Sequence, residues 1–265
     1  MKVKRLLFVA LCCGITASAA QSFSATAAAG TGAGASVTQY LTALPHFAFG
    51  GGWRSQIVIS NTSGAAAVVT LYYFGDNGNP LSVAIGGVSS YSTAVTIPAH
   101  GQQVVEPDWQ GAASSGGWAA VVNPNTGVKI QGIFLWHNPA GADGNYTAAV
   151  APIVSQATPA CLLPIPGSSA LTMPYDETGG QFSGYGFANT TASPVTMNLA
   201  FYNQSGGVVA QYSEQLPAFG HDAILLRDKL PQLVGQQGTM AITGQGVVPL
   251  GFRFKPDYTF TTWLP

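Results

Sequence analysis

Four histidines and a few carboxylates are the side chains here whose types and spacing could carry acid–base chemistry. The histidines are His46, His100, His137 and His221. Glu106 and Asp108 stand two apart around Pro107, so an extended chain aims both carboxylates the same way. A small hydrolase would use His221 or His100 as base, with Glu106, Asp108 or Asp222 as its acidic partner. It would also need a nucleophile. No Gly-x-Ser-x-Gly elbow occurs in the chain. His221 and Asp222 are neighbours, and neighbours in a strand face opposite sides. Glycosidase carboxylates flank a cleft roughly 5 to 9 Å across, which proximity within one loop does not supply. The sequence therefore predicts a protein that is not an enzyme.

Metal ligation has as little support. No His-x-x-x-His or Cys-x-x-Cys pattern occurs. Asp76-Asn77-Gly78 and Asp143-Gly144-Asn145 resemble pieces of calcium loops but lack the later acidic ligands, and turn formation accounts for both. We expect no metal and no cofactor. The Asn-x-Ser/Thr triplets at Asn61, Asn145, Asn189 and Asn203 read as Thr-rich strand corners rather than glycosylation sites.

These residues must be placed by strands, and the strands are announced by a repeat. Ser55 to Leu81, SQIVISNTSGAAAVVTLYYFGDNGNPL, is told again from Ser183 to Val209, SGYGFANTTASPVTMNLAFYNQSGGVV. Each copy has a short apolar run, an Asn-Thr corner, a long alternating run and a Gly turn. Ala67, Val69, Leu71 and Tyr73 fall on one face at period two, and Val195, Met197, Leu199 and Phe201 match them. A second shared signature is Ile97-Pro98-Ala99-His100-Gly101 against Leu216-Pro217-Ala218-Phe219-Gly220, and Gly132 aligns with Gly251. Short strands with turns every 8 to 12 residues predict an all-β fold of two tandem Ig-like or fibronectin-like β-sandwich domains. The one helical stretch is a turn or two near Leu225 to Leu233.

The second half, from PYDETGGQFSGYGFANTTASPVTMNLAFYNQSGGVV through LPAFGHDAILL to FTTWLP, resembles a recurrent secreted module of environmental bacteria. The first half, FGGGWRSQIVISN and its strands, is similar to a module often placed before it. The resemblance covers roughly residues 46 to 265 and implies export and an all-β fold. It carries no activity.

Boundaries follow. Residues 1–20 read as a signal peptide, with Lys2, Lys4 and Arg5 before an apolar run too short to span a bilayer. Residues 21–39 form an Ala/Gly/Ser/Thr tether, 40–153 the first module, 154–174 a proline-rich joint and 175–265 the second module. Cys161 alone remains after the leader, so no internal disulfide is expected. Charged residues are only 7% of the chain, and losing the leader leaves six bases against ten acids. That composition argues against nucleic acid, which needs clustered bases. The expected location is secreted, extracellular or periplasmic, with no membrane span in the mature chain.

Function then rests on surfaces. If Leu71, Tyr73, Ile133 and Leu135 point inward, Tyr72, Phe74, Phe134 and Trp136 form an outward aromatic stripe. The second module has Ala200, Tyr202, Arg253 and Lys255 there, which predicts an ordinary solvated face. Such a stripe either packs against the second module or binds a partner, with sugar rings one candidate. The leading expectation is a non-catalytic exported protein acting in surface attachment, scaffolding or protein contact. The alternative is a carbohydrate-binding module using the stripe, its partner a polysaccharide or another surface protein.

Overall fold

The computed structural model describes residues 40–108, 113–123, 127–136, 156–161, 163–164, 171–256 and 260–263, with backbone only at 40–41, 135–136 and 156–164. The predicted signal peptide and tether lie outside these residues. The chain is all-β, in two groups of antiparallel sheets.

The first group contains β1 (Tyr40–Phe49), β2 (Trp53–Asn61), β3 (Ala67–Phe74), a hairpin of β4 (Val83–Ile85) and β5 (Val88–Ser90), β6 (Ser92–Ile97), β7 (Gln102–Val105), β8 (Ser115–Asn123), β9 (Val128–Trp136), β10 (Gln156–Cys161) and β11 (Leu163–Pro164). The second contains β12 (Leu171–Asp176), β13 (Phe182–Asn189), β14 (Val195–Asn203), β15 (Val208–Leu216), β16 (His221–Leu225), β17 (Gln237–Thr243), β18 (Val247–Phe254) and β19 (Phe260–Trp263). After β16 come one α turn, Leu226–Lys229, and a 3-10 turn, Pro231–Leu233.

The repeat is a repeat of topology. The order β1-β8-β3-β6 is matched by β12-β17-β14-β15, and β7-β2-β9-β10 by β16-β13-β18-β19. The corner after β2 recurs bond for bond after β13. Asn61 Nδ2 donates to the carbonyls of Ala65, Ile97 and Pro98, while its Oδ1 accepts from Ser63 N and Oγ. Asn189 does the same with Ser193, Leu216, Pro217 and Thr191. Both amides are buried, at 2% and 0% exposure, so neither offers a glycosylation site. Each corner holds a non-glycine residue at φ 55°, His100 or Phe219, a sparsely populated conformation for side chains of this bulk.

Two expectations about strands need correcting. Part of the predicted joint is sheet: β10 runs along β9 at the edge of its sheet, and β11 pairs with β1. An edge position tolerates Pro159, which cannot donate to a ladder. The second correction is one of phase. Ser55, Ile57 and Ile59 face the core, and their partners across the ladder are Phe134, Gly132 and Ile130. Phe134 therefore points inward, at 0% exposure, and Ile133 outward. In the second half the same slip applies: Arg253 shares a face with Ser183 and Tyr185, while Leu250, Phe252 and Phe254 form the outer face of β18. That outer face is not solvated. Every residue of β13 is buried, because one side serves its own core and the other packs on the first half.

The two halves consequently share apolar structure. One cluster joins Leu44, Phe47, Ile57 and Phe134 to Phe182, Leu250, Phe252, Phe254 and Phe260. A second is internal to the second half, with Met197, Leu199, Phe201 and Met240 facing Tyr185, Phe187 and Ile224. A third sits at the docking corner, where Trp118, Ala43 and Ala120 meet Ala188 and Val248.

Candidate functional site

The residues with chemistry converge at this junction, and local backbone rules explain why. β1 pairs with β8 on both sides of an irregularity between Leu44 and Phe47. Pro45 and His46 together stand opposite Trp118, one residue in excess; the matching segment of β12 runs Met173-Pro174-Tyr175 with no such break. A bulge redirects the chain and re-aims a side chain, and here it sends His46 toward the second half. Space for it comes from Gly186, whose added Cβ would lie 2.4 Å from the His46 Cβ. The ring stacks on His221 at 5.1 Å between centroids and meets the edge of Phe252 at 5.6 Å.

His221 arrives from the opposite side, directly after the corner Pro217-Ala218-Phe219-Gly220. Phe219 stacks on Phe74 at 5.3 Å, Phe74 stacks on Trp118 at 4.8 Å, and Trp118 Nε1 donates to the Phe219 carbonyl at 2.7 Å. The turn after β3 closes against the same corner. Gly78, at φ 78°, has no room for a side chain, since a Cβ would fall 1.9 Å from the Ala218 carbonyl oxygen. That turn presents Asp76, whose carbonyl accepts from His221 N at 3.2 Å and whose Oδ1 lies 2.7 Å from His221 Nδ1. His221 Nε2 lies 3.0 Å from His46 Nδ1.

The result is a line: Asp76 carboxylate, His221 imidazole, His46 imidazole. The carboxylate fixes a proton on His221 Nδ1. One proton is then shared across the facing Nε2 and Nδ1 atoms; two cannot fit. Burial, then the neighbouring His221, lowers His46 from 6.5 to about 3, so a neutral His46 belongs to the closed junction. An Asp–His pair is half of a nucleophilic device, but the nitrogen that would face a nucleophile is bonded to another imidazole. A crevice of about 330 Å³ opens beside the line, walled by Trp53, Tyr185, Phe252 and Phe254.

The other predicted acid–base residues go elsewhere. Glu106 accepts from Arg54 and from Gln56 Nε2, and Asp108 accepts from the backbone N–H groups of Gly86 and Gly87. The two carboxylates are thus divided between different tasks. Asp222 is held above the usual carboxylate range by burial, with nearby Glu214 adding to it. His100 is exposed at its corner. His137, Asp143 and Asn145 lie outside the described residues.

No protein-family model matches the chain, and no curated protein does. Its site is read from geometry alone. Of the proposed stripe, Tyr72 is 39% exposed, Phe74 lies in the docking stack and Phe134 is enclosed. The backbone of Trp136 pairs with Trp53 and Gln156, and its side chain lies outside the described residues. Phe74 and Phe134 thus share no open face with Tyr72. Sequence reasoning considered His46, Asp76 and His221 separately and missed the line they make. The signal that could have found it is the one-residue excess of Leu44-Pro45-His46-Phe47 over Met173-Pro174-Tyr175.

Among the described residues no group of three or more His, Cys, Asp or Glu side chains could hold a metal ion. No helix among them is long and apolar enough to cross a membrane.

Proposed function

We propose that this chain is a non-catalytic exported protein of two tandem Ig-like β-sandwich domains, docked as one body and acting in surface attachment. The observation that carries the reading is the fused junction. The second half's outer face (Leu250, Phe252, Phe254) is spent on the first half, and Asp76, His221 and His46 are spent on one another. A body built this way presents sheet faces and loop ends at a fixed spacing, which suits holding a surface better than turning over a substrate. The resemblance to secreted tandem modules supports export in the same direction.

The test uses the purified mature protein. It is mixed with envelope material of its own source and, separately, with chromogenic ester, glycoside and peptide substrates. Retention on the envelope without turnover is the expected result. Turnover that falls on His221→Asn, in a variant that still folds, overturns the reading in favour of a hydrolase. Failure to be retained on any envelope fraction overturns attachment.

A further inference from the structure

The two halves obey the same structural demands at matched positions, so a difference on an outward face reports something other than folding. One such difference lies on the sheet β12-β17-β14-β15. Across its strands the ladder places Ala241 beside Ala200 and Ala200 beside Gln211. The next outward row is Thr243, Asn198 and Ser213; on the other side of the alanines stands Tyr202. The small pair makes a trough running across the strands, about 400 Å³ in volume, with a hydroxyl and amide wall opposite a tyrosine. Asn198, Gln211, Ser213 and Thr243 are exposed. Ser213 Oγ donates to Asn198 Oδ1 at 2.9 Å, which fixes the amide and leaves its Nδ2 hydrogens free to donate to a ligand.

The first half fills the same place. Tyr72 stands where Ala200 does, and Thr70, Val122 and Ala94 replace Asn198, Thr243 and Ser213. Nothing in the fold requires the trough, then; the second half has it in addition to the fold. No Lys, Arg, Asp or Glu lines it, so it has no means of selecting a charged ligand by attraction. Neutral donors and acceptors at fixed spacing, a floor too small to block a chain, and the Tyr202 ring complement a neutral polyol.

We propose that this trough binds a neutral polysaccharide chain laid across β17, β14 and β15. The proposal rests on the attachment reading and names its ligand class. The experiment is affinity electrophoresis of the mature protein through gels holding soluble neutral glycans: an α-glucan, β-1,3- and β-1,4-glucans, a galactomannan and an arabinan. Polygalacturonate serves as the charged comparison. Retardation by at least one neutral glycan is expected. Ala200→Tyr, which copies the first half, should abolish it, and Asn198→Ala should weaken binding about tenfold, the value of one to two lost hydrogen bonds. Tyr72→Phe should leave it unchanged. Both residues face outward, and circular dichroism confirms that each variant folds. No retardation by any neutral glycan, retardation only by polygalacturonate, or retardation indifferent to both Ala200→Tyr and Asn198→Ala overturns the proposal. Envelope retention that persists in Ala200→Tyr would sink this site while leaving the attachment reading standing.

Discussion

Acid should loosen the junction, and His46 sets how much. The folded protein holds this imidazole near 3 against 6.5 when free. A base whose folded pKa is depressed favours folding while neutral. Its contribution is complete above about pH 6.5 and is lost as pH falls from there toward about 3. Each pH unit inside that window removes ~1.4 kcal/mol. At about pH 4.5 the loss comes to about 3 kcal/mol, a ceiling because one side of His46 opens to the crevice. That is a large share of the ~5 to 15 kcal/mol by which domains are stable. The titratable groups on this side of His46 are His221, across the junction, and Asp76 behind it. The assay is urea unfolding at several pH values between about 7.5 and 4.5, for the wild type and His46→Phe. The phenylalanine keeps a ring against Phe134 and Phe252 but cannot be protonated. It should cost about 1 to 3 kcal/mol at neutral pH, since His221 Nε2 loses its partner. Below pH 6.5 the wild type should lose stability more steeply than the variant. Equal slopes for the two proteins would refute the assignment of a neutral His46 to the closed state.

Three further outcomes follow from the same contacts. Gly186→Ala should cost about 1 to 3 kcal/mol and raise the radius measured by small-angle scattering, because its Cβ would meet the His46 Cβ at 2.4 Å. Trp118→Phe should cost about 1 to 2 kcal/mol by removing the donor to the Phe219 carbonyl, a loss read in chemical denaturation. Asn61→Ala and Asn189→Ala should each cost several times a surface substitution, about 2 to 3 kcal/mol, and by similar amounts, because their hydrogen bonds match. Unequal costs would mean that the docking of the second corner adds to its own stability.

Much of the architecture was legible because period-two patterns survive in strands with one wet face. Ala67 to Tyr73 and Val195 to Phe201 alternate cleanly, and their inward residues are the ones read from sequence. Where both faces are buried, the pattern loses its phase. FSGYGFAN in β13 and VVPLGFRF in β18 carry apolar or small residues at nearly every position, so either set could be taken as inward. GIFLW in β9 carries the same ambiguity, and Phe134 faces the core where the pattern equally allowed Ile133. The polar line was less legible still. His46, Asp76 and His221 are far apart in sequence, and strand periodicity does not bring them together. What unites them is a bulge, a turn and a corner, each local and each recognisable, meeting only because the halves dock.

The repeat also explains why docking happens once and in one direction. Both halves own a corner and both own a slot. Their backbones match, from the φ 55° residue of the corner to the glycine pair Gly117 and Gly238, each pressed against a carbonyl of the neighbouring strand. The second half's corner carries Phe219 and enters the first half's slot, where Phe74 and Trp118 receive it. The first half's corner carries His100 instead and stays exposed, and the second half's slot offers Tyr202 and Thr239 instead of Phe74 and Trp118. The used pair is aromatic on both sides; the unused pair is polar on both. A free corner as apolar as the used one, beside a free slot as apolar as its partner, would let copies stack head to tail without closing. Polar residues at just those three positions remove the driving force for stacking and leave the fold intact, so the same backbone makes a junction within the chain and a solvated end outside it.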